Sequence, residues 1–377
     1  MSGITDHLRN VLIVGGGVGG PAAAILLAER GVKVDLVDIS ENWGAAGTGV
    51  TLSALTARAL CDLGFAEDLM ARGHLHDSLE MYNPTGEQIN VMSAKRLYSD
   101  DIPAEGGVMR PVLHDMMATR MSALGVTVRT GMTVDALTQS RDAVQVSLSD
   151  GSRAEYDLVI GADGLFSNTR EMIMPDAPKP SYTGQVCWRA QFRRPEGWDN
   201  SRMYFGRLKI GFTPCSPDHM YMYLLENVAE KPWYDNSELL ARLKSMLEPF
   251  RPALGDLIDG MDENTPIMAR PLESILLEDD WFRGRVLLIG DAAHSTTPHL
   301  ASGAGMAVED ALVLVDELEK ADTLKDALSA FVTRRMPRGK LVVGNSLKLG
   351  QMEIDGAPAE EIGKLMGASL HAIEAPY

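Results

Sequence analysis

Cysteine is scarce in this chain of 377 residues. The three cysteines, Cys61, Cys187 and Cys215, are widely spaced and form no C-x-x-C pair. So few cysteines, and an odd number of them, argue against a disulfide framework and favour reduced, structural thiols in a reducing compartment. Because no targeting segment is recognisable either, the cytoplasm is the expected location.

Basic residues are also fewer than acidic residues. The chain has 35 lysines and arginines against 52 aspartates and glutamates, which gives a net charge of −17. A surface this acidic repels nucleic acid and anionic lipid, so we expect neither nucleic acid nor a membrane as a partner. It does not exclude an anionic small molecule, since a local basic pocket can override the overall sign.

The sequence also lacks metal-binding patterns and membrane-spanning runs. His74 and His76 are too close together to build a metal site alone, and Pro298 interrupts any helical face shared by His294 and His299. We therefore expect no metal. One apolar run near the N-terminus has about the length of a membrane span, but the glycines clustered in its turn exclude one.

What is present begins with a glycine-rich turn between an apolar strand and a helix. Gly15, Gly17 and Gly20 occupy the three glycines of the pattern G-x-G-x-x-G, with Val18 and Gly19 between the last two. In this pattern the first glycine permits a tight turn, the second lets a pyrophosphate approach the backbone, and the third lets helix and strand pack closely. The turn therefore predicts dinucleotide binding, and an α/β unit without a ligand is the alternative.

The residues that follow this turn support the same interpretation. Pro21 suits the first turn of a helix, and the free N–H groups at that helix start favour a phosphate. After a second predicted strand at 32–37, Asp38 lies 18 residues beyond Gly20. A carboxylate at this place can hold both hydroxyls of an adenosine ribose.

Strand patterns divide the chain into regions of different architecture. Apolar runs at 11–14, 157–160 and 285–289 are typical of parallel strands buried on both faces. Aromatic, alternating segments between 180 and 226 are typical of an antiparallel sheet. We thus predict an α/β fold, in which a Rossmann-type domain with a parallel sheet is interrupted by an antiparallel-sheet substrate domain and followed by C-terminal helices. The predicted boundaries are 1–175 for the dinucleotide-binding domain, with substrate-side strands at about 75–105, then 176–275 for the substrate domain, 276–320 for the return to the first domain, and 321–377 for the C-terminal helical segment.

Three segments rich in glycine and aspartate each follow a buried strand. The first is the turn at 15–20, the second is Gly-Ala-Asp-Gly at 161–164, and the third is Gly-Asp-Ala-Ala-His at 290–294. Together and in this order, they resemble the single-component FAD-dependent aromatic monooxygenases, the class that includes para-hydroxybenzoate, salicylate and 6-hydroxynicotinate hydroxylases. The likeness covers nearly the whole chain. It is strongest over residues 1–50, 156–170 and 285–320.

The resemblance implies tightly bound FAD and assigns residues to its adenosine half. Asp38 would hold the ribose, Val134 would offer its backbone to the adenine, and Arg110 would lie at the pyrophosphate or the ribityl chain. Asp163 would lie near the pyrophosphate and a path for a pyridine nucleotide. Two simpler alternatives stay open, a surface salt bridge for Arg110 and an Asx turn before a helix near Ser167 for Asp163.

The flavin half of FAD would meet three other parts of the chain. Asp291 would bind a ribityl hydroxyl, although a helix or turn cap is its alternative. Backbone N–H groups at the start of a helix predicted from about Gly305 would stabilise the anionic reduced ring, and a glycine-rich loop at 44–50 would line its opposite side. The implied contacts are Gly303, Ala304, Gly305 and Met306 in the first of these segments, and Gly47, Thr48, Gly49 and Val50 in the second.

The reaction implied by the resemblance uses NADH or NADPH together with O2. The pyridine nucleotide reduces the flavin, oxygen forms a flavin C4a-hydroperoxide, and a hydroxyl passes to a small phenolic or hydroxypyridine-type ring. The chain has no second complete G-x-G-x-x-G unit, so the pyridine nucleotide would dock transiently. The ring must also be activated, which needs a base with a pKa near the working pH or a proton network reaching solvent.

His299 is the first candidate for this activation, because it follows Pro298, which in the family lies over the flavin ring. Imidazole titrates in the useful range, but a histidine that only bonds the backbone is an equal alternative. Tyr221 and Tyr223 share one face of a strand, where they either bind a substrate hydroxyl or carboxylate or simply pack. Arg189 either holds a substrate carboxylate, lies against the flavin, or forms a structural ion pair.

Other functions stay open beside this one. The same fold can epoxidise an alkene, hydroxylate a larger polyketide-like molecule or act without oxygen insertion, and a non-catalytic FAD-binding protein is the rival from another class. A flavin-dependent halogenase is disfavoured because the chain has no W-x-W-x-I-P segment. The expected partner is a small aromatic or N-heteroaromatic substrate, and the expected state is a monomer or a homodimer.

Overall fold

The computed structural model describes Ile4, residues 8–44 and residues 48–377. Gly47, one of the expected flavin contacts, lies outside the described residues. The strands are β1 (Asn10–Val14), β2 (Lys33–Asp38), β3 (Gly49–Leu52), β4 (His74–His76), β5 (Ser78–Tyr82), β6 (Gln88–Ser93), β7 (Glu105–Met109), β8 (Thr127–Thr130), β9 (Val134–Gln139), β10 (Val144–Leu148), β11 (Arg153–Tyr156), β12 (Leu158–Gly161), β13 (Ser181–Arg193), β14 (Ser201–Phe205), β15 (Lys209–Pro214), β16 (His219–Asn227), β17 (Ile267–Ser274), β18 (Phe282–Arg283) and β19 (Val286–Leu288). The helices are α1 (Gly19–Glu29), α2 (Ala54–Asp62), α3 (Ala66–Arg72), α4 (Arg110–Ala123), α5 (Asn168–Ile173), α6 (Leu239–Leu247), α7 (Arg251–Asp259), α8 (Asp291–His294), α9 (Gly303–Lys320), α10 (Leu324–Ile354) and α11 (Ala359–Ile373). Within these residues, no helix combines the length and the hydropathy that crossing a bilayer requires.

A mostly parallel sheet brings the three glycine–aspartate segments to one edge. Its strands lie in the order β18-β19-β12-β1-β2-β8. Val14 pairs with Gly161, and Gly161 pairs with Leu288, so β1, β12 and β19 end in one row. In open α/β sheets, ligands bind at this carboxyl edge. The predicted α/β architecture with its parallel sheet is confirmed.

The other large sheet has two different faces. Its strands lie in the order β17-β13-β16-β15-β14-β5-β6, and alternate side chains point to opposite sides. Trp188, Phe212 and Leu224 lie on the side that packs against α6 and α7, and burying each such side chain is worth about 1.5–3 kcal/mol. The opposite side carries Arg189 and Tyr223, which pair across β13 and β16. We call this second side the site face.

A small sheet, in the order β3-β7-β4, covers part of the site face. In it, Gly107 lies against Thr213 and Cys215 at the end of β15. A glycine-rich loop is predicted up to Val50, whereas the structure forms β3 from Gly49 onward and pairs it with β7. The partner strand lies far along the chain and contains two glycines, so neither alternation nor composition marks the pair in the sequence.

Two helices also differ from the sequence-based expectation. The helix α7 is not predicted, because Pro252 and Gly255 lower its intrinsic helix propensity; Leu254 and Ile258 nevertheless bury against the antiparallel sheet and stabilise it. The helix α9 begins at Gly303, two residues before the predicted start. In both cases tertiary packing outweighs local preference.

Candidate active site

A groove of about 310 Å³ lies at the edge where β1, β2 and β12 end. Gly15, Gly17, Asp38 and Asp163 all line it. Gly15 has a φ of +108°, and a Cβ there would overlap the carbonyl group of Ala162, so only glycine fits. A Cβ at Gly17 would meet no atom within 4 Å. The turn therefore leaves its backbone open to a ligand at Gly17.

The other residues of the turn serve packing. A Cβ at Gly20 would overlap the carbonyl oxygen of Gly15, and Gly19 lies against Ala307 of α9. Val18 packs against the core of the parallel-sheet region. These three positions hold α1 close to β1 and α9, which fixes the direction of the free N–H groups at the start of α1.

Asp38 and Trp43 fix the glycine turn from the side of β2. The carboxylate of Asp38 accepts hydrogen bonds from the backbone N–H groups of Gly16 at 2.7 Å and Ser40 at 2.8 Å. The indole N–H of Trp43 donates to the carbonyl of Gly16 at 2.8 Å. The two Asp38 oxygens retain further lone pairs for a ligand hydroxyl.

Asp163 lies on the other wall of the groove and caps the following helix. Its carboxylate accepts hydrogen bonds from the hydroxyl of Ser167 at 2.5 Å and from the N–H of Thr169 at 2.9 Å. Within the protein, Asp163 therefore makes the Asx-turn contacts that were its alternative role. Its side chain also lines the groove. Residues 132–133 line the groove nearby, whereas the side chain of Val134 is buried beside them.

Arg110 and Asp291 lie close together in a concave region. Both are exposed to solvent, although protein surrounds them on most sides. Burial lowers the pKa of Arg110, and the nearby Arg189 lowers it further while Asp291 opposes the change. Burial raises the pKa of Asp291, and Arg110 opposes that shift. A cation and an acid are thus available to a polar chain crossing this region.

The start of α9 offers free backbone donors. An α-helix leaves the N–H groups of its first residues without an intrahelical partner, and here these belong to Gly303, Ala304 and Gly305. Met306 is different, because its N–H donates to the carbonyl of Ser302 at 2.8 Å. The prediction that Met306 presents a free N–H group is therefore wrong, since the fourth residue of a helix already bonds the capping carbonyl.

The segment before α9 is a strained corner. One 3-10 turn is formed by Pro298, His299 and Leu300. Ala301, which follows it, has a φ of 46°, a backbone conformation that residues other than glycine rarely adopt. The hydroxyl of Ser53 donates to the Ala301 carbonyl at 3.0 Å and helps to hold this conformation. Strain held in place by its surroundings is characteristic of functional sites.

The segment that includes β3 approaches the site face through Tyr221. Thr48 is buried, and Val50 packs against the core. A Cβ at Gly49 would overlap the ring of Tyr221, and the hydroxyls of Tyr221 and Thr51 are hydrogen-bonded. Burial raises the pKa of Tyr221 to about 12, so at neutral pH it is a neutral hydroxyl.

Tyr223 and Arg189 lie beside Tyr221 on the site face. The rings of the two tyrosines are 6.1 Å apart, and the ring of Tyr223 lies over Gly211, where a Cβ would overlap it. No carboxylate of the described residues lies within ion-pair distance of Arg189. The sequence alternative of a structural ion pair is therefore absent from this part of the chain. The guanidinium of Arg189 contacts the thiol of Cys187, and its other donors are available to a ligand.

His299 lies at the junction of the site face and α10. Its Nδ1 is 2.8 Å from the hydroxyl of Thr297, and its Nε2 is 3.5 Å from a carboxylate oxygen of Glu353, which is too long for a good hydrogen bond. Burial alone would raise the pKa of Glu353, but His299 and the ion-paired Lys209 lower it to about 2. A cavity of about 450 Å³ opens beside His299 and Gln185.

Two carboxyl groups absent from the sequence-based prediction approach Tyr223. Burial raises the pKa of the Tyr223 hydroxyl, and the nearby Glu105 of β7 and Glu353 of α10 raise it further. Lys209 of β15 pairs with Glu353 across 144 positions of sequence. Neither motif nor spacing marks these residues, because they meet only through tertiary contacts.

Glu105 is half-buried and has no cation beside it, so burial raises its pKa from 4.5 to about 7, with Asp77 adding to the shift. Because the folded state holds this proton more tightly, the associated stability is complete below pH 4.5 and is lost as the pH rises through about 7. We expect Glu105→Gln to be more stable than the parent by about 1–2 kcal/mol at pH 8 and equal to it at pH 4. Urea unfolding of both proteins across this range measures the difference, and a constant difference would contradict the assignment.

A buried charge network supports the site from behind. Asp310 accepts hydrogen bonds from the N–H of Gly290 at 2.8 Å, from His294 at 2.6 Å and from Arg335 at 2.7 Å. Arg335 also donates to Glu309 at 2.8 Å. The network joins α9 and α10 to the turn that precedes Asp291, and it gives His294 a structural role.

Other chemistry-bearing side chains have ordinary surroundings. Cys61, Cys187 and Cys215 are free and buried. Across the described ranges, no group of three or more histidine, cysteine, aspartate or glutamate side chains is arranged to hold a metal ion. The chemistry of the site therefore depends on its arginines, tyrosines, carboxyls and His299, together with whatever the groove binds.

Comparison with known proteins shows which family this chain resembles. The family described as "FAD binding domain" matches residues 9–194 and 272–346. The chain is 31% identical to the 2-heptyl-3-hydroxy-4(1H)-quinolone synthase of Pseudomonas aeruginosa, over 81% of this chain and 79% of that protein. It is 28% identical to the 6-hydroxynicotinate 3-monooxygenase of Bordetella bronchiseptica, over 85% of each.

A solved structure has the same fold. The HpxO protein of Klebsiella pneumoniae, complexed with FAD and uric acid, matches with a TM-score of 0.83 and 24% identity, over 97% of this chain and 92% of that chain. The family match spans most of the chain, including all three glycine–aspartate segments. This chain therefore belongs to the FAD-binding domain family, among the FAD-dependent aromatic monooxygenases.

Proposed function

We propose that this chain uses NADH or NADPH and O2 to hydroxylate a small phenolic or hydroxypyridine-type ring. The observation that carries the proposal is that Arg110 interacts electrostatically both with Arg189, which lies beside two neutral tyrosines, and with Asp291, at the edge of the sheet where the groove lies. When bound and reduced, the flavin supplies the activated oxygen. Binding, orientation and proton handling fall to the side chains described above.

The residues of the groove fit FAD. Gly17 leaves room for a pyrophosphate at the backbone, and Asp38 has lone pairs for the ribose hydroxyls. Arg110 and Asp291 suit the pyrophosphate and ribityl hydroxyls. The dipole of the 18-residue helix α9 and its free N–H groups would stabilise negative charge on the reduced ring.

The site face fits an aromatic acid or a related heterocycle. Arg189 would bind a carboxylate or ring oxygen as a charge-assisted donor, and Tyr221 and Tyr223 would donate neutral hydroxyls. Pro298 and His299 would lie over the flavin, with His299 accepting the proton of the substrate hydroxyl. The relatives named for 6-hydroxynicotinate and for a quinolone support a heteroaromatic ring. We further propose a cytoplasmic enzyme that is a monomer or a homodimer.

The test is an assay of the FAD-loaded protein with NADH or NADPH, ¹⁸O2 and a panel of phenols, hydroxypyridines and quinolones. The expected result is ring-dependent oxidation of the pyridine nucleotide with one labelled oxygen atom in the product. Labelled product from only the larger ring systems would favour the alternative of a bulkier substrate. The absence of labelled product with every compound would refute the hydroxylase.

Replacing His299 with alanine is expected to uncouple the reaction. Without the imidazole, the substrate hydroxyl stays protonated and the ring is less nucleophilic, so a larger share of the oxygen ends as hydrogen peroxide. We expect product per oxidised NAD(P)H to fall about tenfold or more, while FAD stays bound. Peroxide and product measured together report the ratio, and an unchanged ratio across pH 6–9 would remove His299 from proton transfer.

A further inference from the structure

Glu105 is the first residue of β7 and faces β4. His76 lies directly opposite it on β4, and residues in such a pair point to the same side of the sheet. His76 lies 2.9 Å from the hydroxyl of Ser201, which belongs to the site face. Two residues further along β7, Gly107 lies against Thr213. Glu105 therefore points at the site face.

Glu105 has no partner in the part of the chain that the structure describes. No hydrogen bond or ion pair there reaches its carboxyl group, although the side chain is half-buried. Its neighbour His76 supplies no positive charge, because burial lowers the pKa of His76 to about 4. Leaving a half-buried carboxylate without a donor is costly, so this position favours a ligand that brings a donor.

The site face has opposite polarity at its two ends. The register places Arg189, Tyr223, Gly211 and Met203 in one row across β13, β16, β15 and β14. Neighbouring strands are about 4.8 Å apart, and Arg189 and Gly211 lie two strands apart, so their Cα atoms are separated by about 10 Å. Glu105 approaches this row near Tyr223, whose hydroxyl lies over Gly211. A ring held between the two ends meets a donor at Arg189 and an acceptor at Glu105.

The position of the donor separates the two classes of ring in the proposed function, on which this inference rests. A monohydroxylated phenol carries its single donor on its oxygen, the atom whose proton His299 would accept. A hydroxypyridine or quinolone in its lactam form also has a single donor, but carries it on the ring nitrogen, and its oxygen only accepts. Only the second class can present an acceptor oxygen to Arg189 and a separate donor to Glu105, which as a carboxylate can only accept.

We propose that Glu105 accepts a hydrogen bond from the ring N–H of the substrate, and that the enzyme takes lactam-type N-heteroaromatic rings in preference to phenols of the same shape. Glu105 is then the specificity-determining residue at the end of the site opposite Arg189. Sites built to bond one polar hydrogen reject the analogue that lacks it, because their own polar group is then left unpaired.

The test is ligand binding to the FAD-loaded protein, without NAD(P)H or oxygen, followed by the perturbation of the flavin absorption spectrum at pH 8.5. The probes are 6-hydroxynicotinate, its N-methyl lactam and 4-hydroxybenzoate, and the second set is 4-hydroxyquinoline with 1-naphthol. We expect the parent protein to bind each N–H compound about tenfold or more tightly than its partners. Equal binding of an N–H compound and its carbocyclic partner, or no response to any probe, would overturn the proposal.

The variants Glu105→Leu and Glu105→Gln locate the effect. The leucine variant is expected to lose the preference, and the glutamine variant, which keeps a neutral acceptor, to keep part of it. Glu196→Gln, at an exposed position away from the site face, is the matched control and should bind as the parent does. A preference that survives in Glu105→Leu would overturn the proposal. The binding measurement needs no turnover, so it tests Glu105 separately from the hydroxylase. Ring preference can be absent although labelled oxygen enters the product, and it can be present although no labelled product forms.

Discussion

Arg335→Met is expected to lower the free energy of unfolding by about 3–5 kcal/mol, because it breaks a buried ion pair by removing one partner. The guanidinium is 1% exposed and bonds both Asp310 and Glu309, which are fully buried. Burial alone would raise the pKa of Asp310, but His294 and Arg335 lower it to about 2, so it is charged. Removing the arginine leaves Asp310 with His294 as its remaining side-chain partner, whereas Glu309 keeps Arg58 at 3.3 Å and Arg338 at 3.4 Å.

The neighbouring residue provides the control. Arg334 also bonds two acids, Asp316 and Glu317, but its side chain is 33% exposed. Solvent-exposed ion pairs contribute about 0.2–1 kcal/mol, so Arg334→Met should cost no more than about 1 kcal/mol. Urea unfolding of the apoprotein compares the two variants. Equal losses, or a loss below 1 kcal/mol for Arg335→Met, would contradict a buried network of this importance.

The same substitution should weaken FAD binding. Arg335 donates to the carbonyl of Met306 at 3.1 Å, and its partner Asp310 holds the N–H of Gly290, one residue before Asp291. The network therefore orients both the start of α9 and the turn that carries the ribityl-binding candidate. Neutralising Asp310 as well, with Asp310→Asn, should recover part of the stability, because the acid that has lost its arginine then carries no charge, while Glu309 stays paired with Arg58 and Arg338.

What the sequence predicts well here is local. The glycine turn at 15–20 and the segments at 161–164 and 290–294 are contiguous patterns, and each follows a strand whose apolar run is visible in the sequence. Parallel strands must end at a common edge, so three such segments in order predict their own convergence. The register of β1, β12 and β19 brings them there.

What the sequence does not predict depends on contacts between distant elements. Glu353 and Lys209 are separated by 144 positions and meet because α10 crosses the end of the antiparallel sheet. The direction in which Glu105 points depends on the register of β7 against β4, since a shift of one residue would turn its side chain away from the site face. Glycines that make room for Tyr221 and Tyr223, at positions 49 and 211, look like any loop or strand glycine until the rings are placed.

Gly17→Ala is expected to weaken FAD binding about 100-fold while leaving the apoprotein as stable as the parent. A methyl group at this position meets no protein atom within 4 Å, so the folded chain accommodates it, and Gly→Ala also reduces the entropy of the unfolded chain. The methyl group projects into the groove, where the pyrophosphate must approach the backbone closely. A loss of this size corresponds to about 2.7 kcal/mol of binding free energy.

Two further glycines make the comparison specific. Gly15→Ala should lose both stability and FAD affinity, because its φ of +108° and the nearby Ala162 carbonyl exclude a Cβ. Gly363→Ala, in α11 with open space around it, should gain up to about 1 kcal/mol of stability and leave FAD affinity unchanged. FAD titration of deflavinated protein by flavin fluorescence, together with urea unfolding, separates the three outcomes. If Gly17→Ala binds FAD as the parent does, the pyrophosphate does not lie at this turn, and the assignment of the whole groove is wrong.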